Sequence, residues 1–261
     1  MSTIIYPSPI FGPVHSRRLG VSLGVNLMPG DGKVCSFDCV YCECGFNADF
    51  RPKEKRPTRD EVRQCLTDVL RQRHEQGQPL DVITFAGNGE PTGHPDFAAI
   101  IGDTIEVRDR YFPEAKVSVL SNATFIHRQD VREALMRVDN NIQKLDTVDA
   151  DYINRVDRPV SPAYNVQDVV IDLCQFNGHV IIQTMFMDGT MADGTDVSNT
   201  SEHFLKPWIE ALQRIRPQQV MIYTIDRETP ATGLRKATPD VLNAIRDRVE
   251  REAGVPCQAS Y

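Results

Sequence analysis

Short β-rich runs alternate with longer amphipathic ones along most of this 261-residue chain, and that alternation restricts the fold more than any other feature. The pattern predicts strands over 23–27, 82–86, 117–120, 142–145, 180–186 and 220–225. Between and after them it predicts helices over 59–76, 96–107, 128–137, 166–176, 201–215 and 239–252. In the first helix Val62, Leu66, Val69 and Leu70 recur at helical spacing with charges between them. Thr58 is a candidate N-cap with Glu61 three residues on, a capping box, and Thr238 before Pro239 reads as a second N-cap. A strand that returns to its sheet through a helix pairs parallel to its predecessor, so the class is α/β. Two architectures satisfy this, a barrel-like (β/α) array and a doubly wound open sheet. Both carry their functional groups on loops at the C-terminal ends of the strands. No internal repeat, low-complexity tract or linker breaks the pattern, so one domain over 1–261 is expected. The polar stretch 188–201 follows a strand, where an active-site loop would sit.

Lys and Arg number 29 against 36 Asp and Glu, a formal net charge of −7, which supplies no overall attraction to nucleic acid. No run approaches the ~20 apolar residues of a membrane span. The apolar N-terminal segment IIYPSPIFGPV is broken by three prolines and has no basic leader, so a cytoplasmic protein without a signal peptide is expected. Of seven cysteines, four fall between Cys35 and Cys44. Clustered thiols in a chain with no export signal point to metal or redox chemistry rather than to disulfides. Cys35, Cys39 and Cys42 have the spacing C-x3-C-x2-C. Three thiolates on one loop can hold an iron–sulfur cube and leave one iron open to another ligand. The alternative is a structural zinc site with Cys44 as fourth ligand, in a non-enzymatic binding module. Zinc motifs normally come as two separated pairs, and no second pair is present. Cys65 and Cys174 lie on predicted helices and read as small buried hydrophobes, while Cys257 lies near the chain end.

The cysteine segment, with Tyr41 as the aromatic residue of C-x3-C-x-aromatic-C, resembles the signature of the radical S-adenosylmethionine (SAM) superfamily. The resemblance implies that Cys35, Cys39 and Cys42 hold a [4Fe–4S] cluster whose fourth iron binds SAM. Reduction of the cluster then cleaves SAM to methionine and a 5′-deoxyadenosyl radical that abstracts hydrogen from a substrate. It also implies a partial TIM barrel of the (β/α)6 type, with parallel strands, outer helices and the cluster loop after the first strand. Gly87-Asn88-Gly89-Glu90-Pro91 follows the second strand and looks like the family's G-G-E-P motif, which holds the SAM amino group. Asn88 stands where the first of the paired glycines would be, and Asn-Gly alone reads as a tight turn. Ser121-Asn122-Ala123 after the third strand matches a position that contacts the SAM ribose or carboxylate, or else caps a helix. Lys144 and Asp146 share one face at the end of the fourth strand, fit either to hold SAM or to form an ion pair. Gln183 joins them as a cofactor candidate, and with Met185 and Tyr223 it could equally pack in the core. The stretch Gly12-Pro13-Val14-His15-Ser16-Arg17-Arg18-Leu19-Gly20 resembles a poorly characterised group of radical SAM Fe–S oxidoreductases. That group is distantly similar to the tRNA wybutosine-synthesis enzymes. The resemblance covers about 11–235, leaving 236–261 as a helix and tail.

The substrate is less legible. Arg51, Lys53, Lys55, Arg56 and Arg59, with Arg155 and Arg158, offer guanidinium and ammonium groups for an anion, although Glu54 and Asp60 dilute the run. A small molecule, nucleoside or peptide is expected, and the acidic charge puts RNA second. Radical chemistry implies a flavodoxin- or ferredoxin-type electron donor. An activating enzyme for a glycyl radical partner protein is a further reading within this class.

Overall fold

The computed structural model describes residues 3–16 and 20–261, so Arg17, Arg18 and Leu19 of the N-terminal motif lie outside the described residues. In chain order the elements are β1 (Ile10–Ser16), β2 (Gly20–Val25), α1 (Arg59–Glu75), β3 (Val82–Phe85), α2 (Phe97–Tyr111), β4 (Lys116–Ser121), α3 (Gln129–Leu135) and β5 (Asn140–Lys144). They continue with α4 (Ala150–Val156), α5 (Val166–Cys174), β6 (Ile181–Met185), β7 (Met187–Gly189), α6 (Glu202–Ile215), β8 (Gln219–Tyr223), β9 (Leu234–Lys236), α7 (Pro239–Ala253) and β10 (Cys257–Ser260). The main sheet has the order β1-β2-β3-β4-β5-β6-β8-β10. Every neighbouring pair from β2 to β10 is parallel, and β1 adds antiparallel to β2 at one edge.

Period-two alternation divides the strands into two faces. Leu23, Val25, Ile83, Phe85, Val117, Val119, Ile182, Val220 and Ile222 join the helices in the main core. Helices pack pairwise, α1 on α2, α2 on α3, α5 on α6 and α6 on α7, and form an outer layer. The opposite face carries Ser22, Gly24, Thr84, Leu120, Ile142, Gln183, Met221 and Tyr223, which line a cavity of about 690 Å³. The result is a partial barrel whose interior is a pocket rather than a packed core. Trp208 on α6 is fully buried, donates Nε1–H to the Leu145 carbonyl at 3.0 Å and meets Phe186 edge-on.

Both expected N-caps form. The Thr58 side chain accepts from the Glu61 amide and Glu61 returns the bond, while Thr238 accepts from the Val241 amide. The six expected parallel strands are present, and the sheet is two strands longer, with β1 at one edge and β10 at the other. Segment 236–261, expected as a helix and tail, supplies α7 and then β10, which pairs parallel with β8 in the main sheet. Two further elements escape the hydrophobic pattern. β1 contains Pro13, and β7 pairs with β9 as a small separate ribbon at the start of the stretch read as a polar loop. No helix among the described residues is long and apolar enough to cross a membrane.

Candidate functional site

The cysteine loop runs from the end of β2 to α1, and three other segments hold it in place. On one side Val34 forms a parallel bridge with Gly89: the Val34 amide donates to the Asn88 carbonyl at 2.9 Å and the Glu90 amide to the Val34 carbonyl at 3.3 Å. On the other side the exit from α4 runs along the loop. Asp38 N–H donates to the Asp157 carbonyl, Val40 N–H to Val156, and Val160 N–H to Ser36. From beneath, the N-terminal segment contributes Ile4, whose amide donates to the Glu43 carbonyl. The expected cofactor motif and the expected metal motif are therefore joined main chain to main chain. Gly89 is required there: its φ is +140°, and a Cβ would overlap the Val34 carbonyl.

Glu90 is buried and structured on both oxygens. Oε2 accepts from the Asn122 amide at 2.6 Å, and Oε1 accepts from the amide and hydroxyl of Thr92. Burial raises its carboxyl, and the donors from Asn122 and Thr92 hold it back. Asn122 reaches across to the cysteines, donating Nδ2–H to Ser36 Oγ at 2.9 Å and towards Cys35 Sγ at 3.6 Å. Ser121 Oγ accepts from the Ala123 amide, with Ala123 at φ +64°. The Asn88 side chain is fully buried and spent within the protein: it accepts from Tyr6 N–H and donates to the carbonyls of Tyr6 and Pro29. Its part in the site is to hold main chain.

At the end of β5, Lys144 and Asp146 do form an ion pair, and a residue that sequence reasoning missed completes it. Lys144 Nζ contacts Asp146 and lies 2.8 Å from Asp157 Oδ1, while the Tyr41 hydroxyl donates to Asp146. The remaining Asp146 oxygen accepts from the Met185 amide at 2.9 Å. Lys144 lies over the rings of Phe37 and Tyr41 at 5.7 and 5.3 Å from their centroids. Burial disfavours its charge, but Asp146, Asp157 and Cys39 outweigh that and keep its pKa well above the ordinary lysine value. Burial pushes the Asp157 carboxyl up to about 6 against the pull of Lys144. Tyr41 thereby anchors the cysteine loop to the barrel, and Gln183, the register partner of Lys144, lines the cavity.

The three thiols sit in contrasting surroundings. Burial pushes Cys35 up to about 12 and Cys39 well above the usual thiol value, whereas a hydrogen bond from Cys44 and the charge of Lys33 bring Cys42 down to about 6. Lys33 was not singled out by its sequence. Its ammonium is buried against the Gly45 carbonyl at 2.6 Å and Asp38 at 3.4 Å. Burial would lower its pKa, and Cys42, Cys35 and Cys39 raise it, so all three thiols act on one cation. Cys44 Sγ also lies 3.5 Å from the Gly87 carbonyl. Among the described residues no three His, Cys, Asp or Glu side chains are grouped to hold a single metal ion. The ligands of a cube bind different irons and stand further apart than those of one ion. The donor set fits a cluster: three thiols on a braced loop with a buried ammonium beside them. Asn47, just beyond the cysteines, has an unpartnered buried Oδ1. The other cysteines are remote in role, with Cys65 on α1, Cys174 on α5 and Cys257 buried on β10 in the helix-side core.

The basic residues do not gather into an anion clamp. Arg59 forms a bidentate pair with Asp103, Arg56 donates to the Gly93 carbonyl, and Arg158 stacks over Phe46 at 5.5 Å. The cavity mouth instead carries Arg227 paired with Glu43 at 2.8 Å, beside Tyr6.

A partial barrel with a cysteine loop after its first parallel strand and a glycine–glutamate loop after its second is the radical SAM fold, and comparison with solved structures bears this out. A radical SAM methyltransferase from Sphaerobacter thermophilus superposes with a TM-score of 0.65 at 16% identity, covering 92% of this chain and 66% of that one. TYW1, solved with a lysine–pyruvate adduct, gives 0.63 at 13% identity over 88% of this chain and 73% of that one. SuiB of Streptococcus suis bound to S-adenosylmethionine gives 0.62 at 16% identity over 91% and 50%. No protein-family model matches the sequence. The chain belongs to the UPF0026 family: the UPF0026 protein of Helicobacter pylori strain 26695 is 30% identical over 223 residues, 85% of this chain and 67% of that protein. A Synechocystis UPF0026 protein is 29% identical over 244 residues, 88% of this chain and 82% of its own length. The chain spans about two thirds of the length of its Helicobacter pylori relatives.

Proposed function

We propose that this protein is a radical SAM enzyme, with Cys35, Cys39 and Cys42 as ligands of a [4Fe–4S] cluster and SAM bound between the cysteine loop and the barrel mouth. The observation that carries the reading is the bridge between Val34 and Gly89, which sets the start of the cysteine loop, with Cys35, beside Glu90. When bound and reduced by one electron, the cluster supplies the electron that splits SAM into methionine and a 5′-deoxyadenosyl radical, which takes a hydrogen atom from the substrate. The electron comes from a flavodoxin- or ferredoxin-type donor. Glu90, already fixed by Asn122 and Thr92, presents a buried carboxylate to the amino group of SAM. Gly87 lines the cavity, and with φ of +129° and +140° Gly87 and Gly89 let the loop pack directly against Asn26 and Val34. Asn122 and Ser121 bring polar atoms from the next loop, and Gln183 does so from the barrel wall. The Lys144 ammonium stays locked between Asp146 and Asp157, holding Tyr41 and the loop in position. The apolar lining from Leu120, Ile142, Met185 and Met221 excludes water from the cavity where a radical would act. SAM and the substrate share that space, which falls within the usual range for ligand pockets.

The test is anaerobic reconstitution with iron and sulfide, followed by dithionite and SAM. A brown protein carrying four irons per chain, a SAM-dependent change in the EPR of the reduced cluster, and 5′-deoxyadenosine above a Cys39→Ala control are expected. A colourless protein holding one zinc, lost on Cys44→Ala, would replace the enzyme with a zinc-stabilised module.

A further inference from the structure

The N-terminal segment is not a loose leader to β1. Tyr6 is held at both its main-chain atoms by one side chain: its amide donates to Asn88 Oδ1 at 2.8 Å, and its carbonyl accepts from Asn88 Nδ2 at 2.8 Å. Asn26, also fully buried, donates Nδ2–H to the carbonyls of Tyr6 and Pro7 at 3.1 and 3.3 Å, and its Oδ1 accepts from the Asn88 amide at 3.3 Å. Ser8 closes the stretch by donating to the Asn26 carbonyl at 2.9 Å. Two asparagines thus pair with a strand-like segment as a neighbouring β-strand would, satisfying main-chain groups that would otherwise be buried without partners. What the segment covers is the cavity. Ile4 and Tyr6 are part of its wall, and the Tyr6 ring stacks at 4.5 Å on Phe11, which also lines it. Asn88 adjoins Gly89 and Glu90, so the residue that grips the segment is part of the loop that would bind SAM.

We propose that Asn88 is a positioning residue for SAM: it latches residues 4–9 across the barrel mouth, and the latched segment completes the wall of the SAM site. This rests on the radical SAM reading above. Where the motif has the first of its paired glycines this chain carries an amide side chain, and the motif position here serves the protein's own N-terminal segment instead of leaving room at the loop. The segment in turn fixes the loop, because the Asn88 donor to Pro29 ties it to the start of the cysteine stretch.

Two substitutions separate latch from wall. Asn88→Gly removes all three side-chain bonds, whereas Tyr6→Ala keeps the main-chain pairing and removes the ring. Should Asn88→Gly fail to fold, Asn88→Asp keeps the acceptor for Tyr6 N–H and loses both donors. Hydrogen–deuterium exchange on the unreconstituted full chain should show the amides of Ile4, Ile5, Tyr6 and Ser8 exchanging about tenfold faster in the Asn88 variants and unchanged in Tyr6→Ala, the loss expected for an ordinary hydrogen bond. In reconstituted protein with wild-type iron content, both kinds of variant should bind radiolabelled SAM about tenfold more weakly, with turnover at saturating SAM retained. Unchanged exchange in Asn88→Gly overturns the latch, and faster exchange with unchanged SAM affinity overturns the positioning role. A wild-type protein that carries its cluster and binds no SAM overturns the underlying reading, and the exchange result still decides the latch.

Discussion

Replacing Gly89 by alanine perturbs the joint on which the site depends, and its cost can be built from the geometry. A Cβ at this position would lie 2.5 Å from the Val34 carbonyl carbon, closer still to its oxygen, and 3.2 Å from the Cys35 amide nitrogen. The obstacles are main-chain atoms, which cannot swing aside as a side chain does. The bridge must open, and two backbone hydrogen bonds go with it, each worth about 1 kcal/mol net. Holding alanine at φ +140° adds about 1–3 kcal/mol of strain. The expected loss is about 3–5 kcal/mol. Unfolding entropy near 2.1 cal/mol/K per residue makes this about 5–9 °C in Tm for a chain of this length. Gly77→Ala is the control: its φ is +62°, and nothing lies within 4 Å of the added methyl group, so strain alone, about 1 kcal/mol, should appear. Both melts are followed by far-ultraviolet circular dichroism in the metal-free protein. A Gly89→Ala protein that melts no lower than Gly77→Ala would refute the claim that the two motifs are joined through a close backbone contact.

Tyr41→Phe should cost about 1.5–3 kcal/mol in the same assay, because a buried carboxylate loses one of its donors; a melt identical to wild type would show that the hydroxyl does not anchor the loop. Trp208→Ala should lower the urea midpoint by about 3–5 kcal/mol equivalent with m unchanged, through the cavity left beside Phe186 and the lost donor to Leu145. Arg59 and Arg63, against the opposing effect of burial, hold the Asp103 carboxyl below its ordinary value. A depressed carboxylate stabilises the fold above its unfolded pKa and loses that contribution as pH falls through the folded one. Asp103→Asn should therefore cost about 1 kcal/mol at pH 7, allowing for solvent screening of the part-exposed arginines, and nothing in strongly acidic solution, as read by melts across pH.

The parallel strands were legible because buried β-strands and amphipathic helices write different periods, and the caps at Thr58 and Thr238 because they are local chemistry. β10 was not, since Cys257-Gln258-Ala259-Ser260 has too few apolar residues to show a period and is a strand only because β8 offers it an edge. α4 is a seven-residue helix too short for periodicity, and its C-cap Asp157 acquires meaning only from the lysine it meets across the barrel end. The three ligand candidates were visible as a spacing. Lys33, two residues ahead of Cys35, was visible as a residue but not as a charge buried among thiols. Asn88 was legible as a departure from a motif. What it holds was not, because Tyr6 lies 82 residues away and bonds through its main chain, which no side-chain pattern records.

The bracing of the cysteine loop has a consequence for how the protein is made. The side chain that anchors Tyr41 lies 105 residues downstream, and the main-chain partners of Asp38 and Val40 lie further along still. At ribosomal elongation rates of about 5–20 residues per second, the three thiols leave the exit tunnel about 5–20 s before those partners exist. For that interval the nascent chain presents an unfolded, solvent-exposed trio of cysteines to any oxidant or stray metal nearby. Any iron delivered to these thiols would escape this hazard only by waiting until the partners at 146–157 have been made and the loop has folded against them.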